Sequence, residues 1–136
     1  MPDITIDWVA ILIAVVVSMA LGGIWYAPFL FGKTWMSLIG KTQEDLKSGA
    51  AFGYLIAVLG AFLVALIMTY VVQWADATTF AEGMATGAVI WLGFTATSIL
   101  LNGVFEQRPW GLIMINSGQF LLQYMLTGGI IASMLS

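Results

Sequence analysis

Four long stretches of this chain contain no charged residue: residues 8–32, 48–75, 83–105 and 109–136. A helix needs roughly 20 mostly apolar residues to cross the hydrocarbon core of a bilayer, so each stretch is long enough for one span. We therefore expect transmembrane helices near residues 7–27, 50–73, 82–104 and 111–134. Together they would make residues 1–136 a single integral membrane domain.

The composition agrees with a membrane protein. Of the 136 residues, 61% are hydrophobic and only 8% are charged, whereas about a quarter of a typical soluble domain is charged. This excludes a water-soluble globular domain and a disordered chain. Residues 11–17 and 57–68 lack the alternation of β-barrel strands. The predicted fold is all-α, a four-transmembrane-helix bundle.

Two missing residue types narrow the chemistry. The chain has no cysteine, which excludes disulfides, thiolate nucleophiles and Cys-ligated metal centres. It also has no histidine, the commonest metal ligand and general base. We assign no catalytic residue, no metal site and no cofactor. The net charge of −3 argues against nucleic acid as a partner.

The basic residues predict an orientation. All four lie in the first and third loops: Lys33, Lys41, Lys47 and Arg108. The positive-inside rule places these loops in the cytoplasm, so both termini would lie outside. The N-terminal tail carries Asp3 and Asp7 and no basic residue, unlike a signal peptide, so we expect the first span to be retained.

The first loop has the pattern of a short interfacial helix. After Pro28, one helical face is apolar and the other polar. The apolar face comprises Phe31, Trp35, Leu38 and Ile39, and the polar face Lys33, Ser37 and Lys41. Two interpretations stay open: an anchor whose lysines attract anionic headgroups, or a lid over a site at the cytoplasmic mouth.

Two sequences have the form of capping boxes that begin helices. They are Thr42 with Asp45, and Thr79 with Glu82. If Thr42 caps the second span, that helix would run from residue 43 to about 73.

The short third loop places Glu106 and Arg108 on the same side of the membrane as Lys33. One interpretation is a surface ion pair that fixes the loop, worth about 0–1 kcal/mol. The other is that Glu106, Arg108 and Lys33 converge on a headgroup, a substrate anion or a charge of a partner. With Trp35 on the short helix, these three residues form our candidate binding set.

The fourth span is the most polar. Asn116, Gln119, Gln123 and Thr127 follow each other at three- and four-residue steps and form one polar stripe along a helix. The third span adds Thr95, Ser98 and Asn102 at similar steps. The stripe either joins helices or protomers by hydrogen bonds, or lines a hydrated path. Without an ionisable group at mid-membrane, we do not expect a proton relay.

Small residues recur at the spacing that permits close helix approach. The second span has five of them at every fourth position: Gly49, Gly53, Ala57, Ala61 and Ala65. The third span has Gly83 and Gly87. These residues predict a tight bundle, with a partner helix from the same chain or from another copy.

Two motifs resemble those of a known family. The first is Gly-x-x-Trp-Tyr-x-Pro-x-x-Phe-Gly-Lys-x-Trp, at residues 22–35. The second is Phe-Glu-x-Arg-Pro at residues 105–109, followed by an apolar helix with Ile115 and Asn116. Together they resemble a family of small four-helix bacterial membrane proteins of unknown function. The resemblance implies a four-span membrane protein with these loops as its signature, and it implies no reaction.

We interpret the chain as a small polytopic inner-membrane protein without enzymatic activity. The first hypothesis is a homo-oligomeric channel or facilitator that uses the polar stripe as its lining. The alternatives are an accessory subunit of a larger membrane complex, and an enzyme that acts on a lipid headgroup with Glu106 as acid or base. The expected partners are membrane lipids and either further copies of this chain or another membrane protein.

Overall fold

The computed structural model describes residues 3–135, and all regular structure in that part of the chain is helical. In chain order the helices are α1 (Trp8–Trp25), α2 (Gly32–Ile39), α3 (Gln43–Lys47), α4 (Ala50–Trp74), α5 (Phe80–Phe105) and α6 (Trp110–Leu135). By length and composition, α1, α4, α5 and α6 can each cross a membrane. They begin and end within two residues of the expected spans. The predicted all-α fold with four apolar spanning helices is confirmed.

Local sequence signals determine where two of the helices begin. Both predicted capping boxes are present: Thr42 with Asp45 at α3, and Thr79 with Glu82 at α5. In each, the threonine side chain accepts a backbone N–H and the acidic side chain accepts the N–H of the threonine, which satisfies two otherwise unpaired donors. The backbone N–H and the hydroxyl of Thr42 hold the pKa of the Asp45 carboxyl below its usual value.

The expectation that a helix capped by Thr42 continues into the second span is wrong. α3 ends at Lys47, and α4 starts at Ala50. Gly49 between them has φ −106° and ψ 3°, which are not α-helical values, and glycine is a poor helix former. The capped turn is therefore a separate short helix before the second span.

The two ends of the bundle differ in charge. We call one the basic end, because it carries all four basic residues: Lys33, Lys41, Lys47 and Arg108. We call the other the acidic end, because its charged residues are all acidic: Asp3, Asp7, Asp76 and Glu82. The half of the bundle nearer to each end is named in the same way below.

α6 is the central helix and contacts α1, α4 and α5. The main apolar core lies in the acidic half. Its buried members are Ala10, Ile11 and Ala14 of α1, Ala65, Met68 and Val72 of α4, and Ile131 and Ala132 of α6. Several of these residues are alanines, so the three helices pack at close range, as membrane helices do where small residues meet.

α5 and α6 also approach closely in the acidic half, along a contact that we call the glycine seam (Gly83, Gly87 and Gly128). A Cβ atom added at Gly83 would overlap the carbonyl group of Gly128, and one at Gly128 would overlap the carbonyl of Gly83. A Cβ at Gly87 would overlap the carbonyl of Tyr124. The seam leaves no room for any other residue type.

The basic half is open by comparison. Every residue of α4 from 51 to 60 is exposed. Within the described part of the chain, a Cβ added at Gly53 or Gly60 would meet nothing within 4 Å, whereas Ala61 and Ala65 are buried. The predicted row of small residues on α4 is thus split. Its acidic half packs within the bundle, and its basic half faces away from it.

Candidate binding cavity at the basic end

The chain between α1 and α2 folds back tightly on itself. The backbone N–H of Phe31 donates to the carbonyl of Trp25 (3.2 Å), and that of Gly32 donates to the carbonyl of Ala27 (2.9 Å). A Cβ at Gly32 would lie 2.7 Å from the carbonyl carbon of Ala27, closer than real Cβ atoms come, so only glycine fits there. The turn leads directly into α2, the short helix expected in the first loop.

This turn places two aromatic side chains on α6. The indole N–H of Trp25 donates to the carbonyl of Ile115 (2.9 Å), and the hydroxyl of Tyr26 donates to Oδ1 of Asn116 (2.8 Å). A Cβ at Gly118 would lie 3.1 Å from Cζ2 of Trp25, so the missing side chain makes room for the indole. The end of α1 is thereby fixed against the first turns of α6.

Two further aromatic rings complete what we call the aromatic clasp (Trp25, Tyr26, Phe31 and Trp35). The ring centroids of Trp25 and Phe31 are 4.7 Å apart, and those of Tyr26 and Trp35 are 5.0 Å apart. Burial raises the pKa of Tyr26 to about 12, so its phenol stays a neutral hydrogen-bond donor. The ring of the candidate residue Trp35 therefore packs against the ring of Tyr26.

A cavity of about 320 Å³ opens between Tyr26, α5 and α6. Its polar wall consists of Tyr26, Asn102, Glu106, Arg108 and Asn116. Its apolar wall comprises Ile99, Leu112, Ile113 and Phe120, with Gly103 between them. The volume is at the lower end of the range for small-molecule sites, and the lining combines apolar walls with a few polar groups, as such sites do.

The predicted pair of charges lies at the rim of this cavity. Nε of Arg108 is 2.7 Å from Oε2 of Glu106, and both side chains are 52% exposed. Gln107 between them has a φ of 56°, in the left-handed region that few residues other than glycine adopt, and this tight turn places both charges on one side. Lys33 is exposed on α2, is absent from the cavity wall, and forms no ion pair within residues 3–135.

The polar stripe continues from the cavity into the bundle. Asn116 lines the cavity, while Gln119, Gln123 and Thr127 are 8%, 6% and 1% exposed. Nε2 of Gln119 donates to Oε1 of Gln123 over 3.4 Å, a long hydrogen bond. The structure therefore brings together Glu106, Arg108 and Asn116 at one cavity and buries the remaining stripe residues behind it.

The family is established by comparison of the whole chain. Residues 9–132 match the family model described as protein of unknown function (DUF1761). The chain belongs to the DUF1761 family. Neither a curated protein nor a solved structure gives a match. The matched range contains the aromatic clasp, the cavity and the glycine seam, so all three features lie within the DUF1761 region of the chain.

This DUF1761 protein has a π-helical segment in α5 that its hydrophobic pattern does not predict. Residues Trp91–Ala96 of α5 are π-helical, a rare geometry that is frequent at functional sites. Two hydrogen bonds join this segment to α6: Trp91 Nε1 to the carbonyl of Ser117 (2.8 Å), and Thr95 Oγ1 to the hydroxyl of Tyr124 (2.8 Å). The segment lies between the glycine seam and the cavity.

The sequence interpretation missed the contribution of Tyr26 and Asn102 to this DUF1761 cavity. Tyr26 follows an apolar span and reads as an interfacial aromatic, although it stands in the first family motif. Asn102 precedes Glu106 by one helical turn, and that spacing places both on one face of α5. The step from Asn102 to Glu106 was the signal that could have identified this wall.

Proposed function

We propose that this protein is a non-enzymatic membrane facilitator for small, uncharged polar solutes. Its path would run inside one chain, from the cavity at the basic end along the polar stripe of α6. The observation that carries the proposal is the position of Asn116, which lines the cavity and is also the first residue of the stripe.

The chemistry of the stripe favours neutral solutes. From Asn116 to Thr127 the stripe extends about 16 Å along α6, at 1.5 Å per residue. Its side chains offer amide and hydroxyl groups, which exchange hydrogen bonds with a polar solute. None of them is ionisable, and moving an unpaired charge into a low-dielectric interior is far more costly than moving a neutral polar group.

The closed packing of the acidic half favours alternating access, in which the path is open to one side of the membrane at a time. The glycine seam, which runs along α6 from Tyr124 to Gly128, and the core around Ile131 close the bundle from that level to the acidic end. Passage would require α5 to move away from α6 there. The π-helical segment Trp91–Ala96 lies between the closed seam and the open cavity, which makes it the natural point about which α5 would bend.

A permeability measurement tests the proposal. The protein is placed in phospholipid vesicles, and glycerol entry is followed by stopped-flow light scattering. Wild-type protein should accelerate entry over protein-free vesicles. Replacing both buried amides (Gln119→Leu with Gln123→Leu) should reduce this added rate by about tenfold or more, because a solute hydroxyl then passes apolar groups without a hydrogen bond.

Thr97→Val is the matched control for this experiment. It also removes a hydroxyl from a spanning helix, but Thr97 is exposed and donates only to the carbonyl of Gly93 on its own helix. Its glycerol rate should equal that of the wild type. Equal rates for the double variant and the wild type, or no acceleration by the wild type, would contradict the proposal.

The exposed half of α4 favours a second role, association with another copy of this chain. The row of small residues that begins at Gly49 and Gly53 can face its own copy across a two-fold axis, because both partners then present the same smooth surface. Gly53→Leu should dissociate such a dimer in vesicles, and Ala51→Leu, which introduces the same side chain on another face of α4, should not. A monomer bound to a larger complex in mild detergent would instead indicate an accessory subunit.

We also propose that the basic end faces the cytoplasm of a bacterial inner membrane and that both termini lie outside. The four basic residues at that end support this orientation. Because the chain has no cysteine, the variants Lys41→Cys and Thr78→Cys each carry a single thiol, one at the basic end and one at the acidic end. An impermeant maleimide labels each thiol only from the side of the membrane on which it lies. Labelling of Lys41→Cys from outside intact cells would contradict the orientation.

A further inference from the structure

The ion pair at the cavity rim leaves most of its hydrogen-bonding capacity unused. Arg108 has five N–H donors, and only Nε is engaged within residues 3–135. Glu106 uses Oε2 in that contact, and Oε1 has no partner in the same part of the chain. The pair therefore presents a guanidinium edge and a carboxylate oxygen side by side, a complement to a ligand that carries both a phosphate and an ammonium group.

A second observation is the spacing of two polar side chains along α5. Asn102 is exposed on a spanning helix, its side-chain amide has no hydrogen bond in the described chain, and it lies one turn from Glu106, about 6 Å further along the helix axis. The polar layer on each side of the hydrocarbon core is about 5–8 Å thick. The separation of Glu106 and Asn102 along α5 thus matches the distance from the headgroup to the glycerol esters of a phospholipid.

The remaining walls fit the start of an acyl chain. Beyond the polar rim the cavity is bounded by Ile99, Leu112, Ile113 and Phe120. A volume of about 320 Å³ suits a headgroup with its glycerol better than a whole lipid. The neighbouring surface of α5 is apolar and exposed at Leu101 and Val104, where acyl chains would continue.

We infer that this cavity binds a phospholipid with a phosphoethanolamine headgroup. Arg108 and the amides of Asn102 and Asn116 bind the phosphate and ester oxygens, and Glu106 binds the ammonium group. This inference rests on the cavity alone, and a lipid bound there would compete with solute for Asn116 at the mouth of the proposed path.

Native mass spectrometry of the full chain tests the inference. The protein in detergent is titrated with dioleoyl phosphatidylethanolamine and, separately, with dioleoyl phosphatidylglycerol, which has the phosphate but no ammonium group. Wild-type protein should retain one phosphatidylethanolamine per chain in preference to phosphatidylglycerol. Arg108→Gln should weaken retention of phosphatidylethanolamine by about tenfold or more, because it removes charge-assisted hydrogen bonds.

Three comparisons make the result specific. Glu106→Gln should abolish the preference over phosphatidylglycerol, a change that a merely structural role would not cause. Asn102→Leu should weaken retention without altering the preference. Lys41→Gln, which removes an exposed positive charge at the same end but away from the cavity, should retain the lipid like the wild type.

Equal retention of phosphatidylethanolamine by Arg108→Gln and Lys41→Gln would overturn the inference. Arg108 would then contribute no more to binding than an exposed lysine outside the cavity. Competition by soluble phosphoethanolamine at a concentration similar to that of the lipid would also overturn it, in favour of a soluble ligand. Circular dichroism of each variant shows that it is folded. Loss of lipid binding with normal glycerol flux would leave the facilitator proposal standing.

Discussion

The acidic and basic halves of this bundle use similar residues to different effect. In the acidic half, Gly83, Gly87 and Gly128 bring two helix backbones into contact. In the basic half, Gly53 and Gly60 lie on α4 with nothing near them in the described chain. The packing of α4 within the described chain is thus concentrated in its acidic half, and the basic half carries a cavity, a pair of charges and an unpaired face of α4.

This difference shows where a small membrane protein can hold a site. Close packing along the glycine seam excludes both water and ligand, so this contact serves to stabilise the fold. In the basic half the exposed segment of α4 takes little part in the packing, and the aromatic clasp joins α1 to α6. Regions with few buried contacts are also the ones that move most readily, which suits a ligand site.

The largest expected effect on the free energy of unfolding comes from the glycines that differ between the two halves. Gly87→Ala should lower the free energy of unfolding by about 1–3 kcal/mol, because its Cβ would overlap the carbonyl of Tyr124. Gly53→Ala has free space and should change stability by at most about 1 kcal/mol, in the stabilising direction. Thermal unfolding in detergent, followed by circular dichroism, measures both. Equal destabilisation would mean that the two halves are packed alike.

A smaller effect is expected at the clasp. Trp25→Phe removes the hydrogen bond to the carbonyl of Ile115 and should cost about 0.5–1.5 kcal/mol. Trp110→Phe is the control at the same end, because Trp110 is 65% exposed, and surface changes are usually within about 0.5 kcal/mol. The same unfolding measurement applies. A larger loss for Trp110→Phe would show that the clasp does not hold the basic half together.

Local signals in the sequence predicted local features. The uncharged runs predicted the four long helices, Thr79 and Glu82 predicted the start of α5, and the pairing of Glu106 with Arg108 followed from their proximity in a short loop. Each depends on residues close together in the chain or on the bilayer thickness. The two charges at the cavity rim could therefore be recognised as a pair from the order of residues alone.

Contacts between distant residues were not accessible in the same way. The row of small residues on α4 looks uniform in sequence, yet only Ala61 and Ala65 are buried, because packing depends on where α1 and α6 lie. The contact between Trp25 and Gly118 joins residues far apart in the chain, and the sequence around neither residue predicts it. The π-helical turn at Trp91–Ala96 is likewise joined to α6 by hydrogen bonds between residues distant in the chain.

The central claim is that the cavity and the stripe form one path, joined at Asn116. Its most direct test is the glycerol permeability of vesicles that contain Asn116→Leu, compared with Tyr26→Phe, which removes the same hydrogen bond but keeps the amide. The account predicts that Asn116→Leu reduces the added permeability by about tenfold and that Tyr26→Phe reduces it far less. Wild-type permeability in a folded Asn116→Leu protein would contradict the claim.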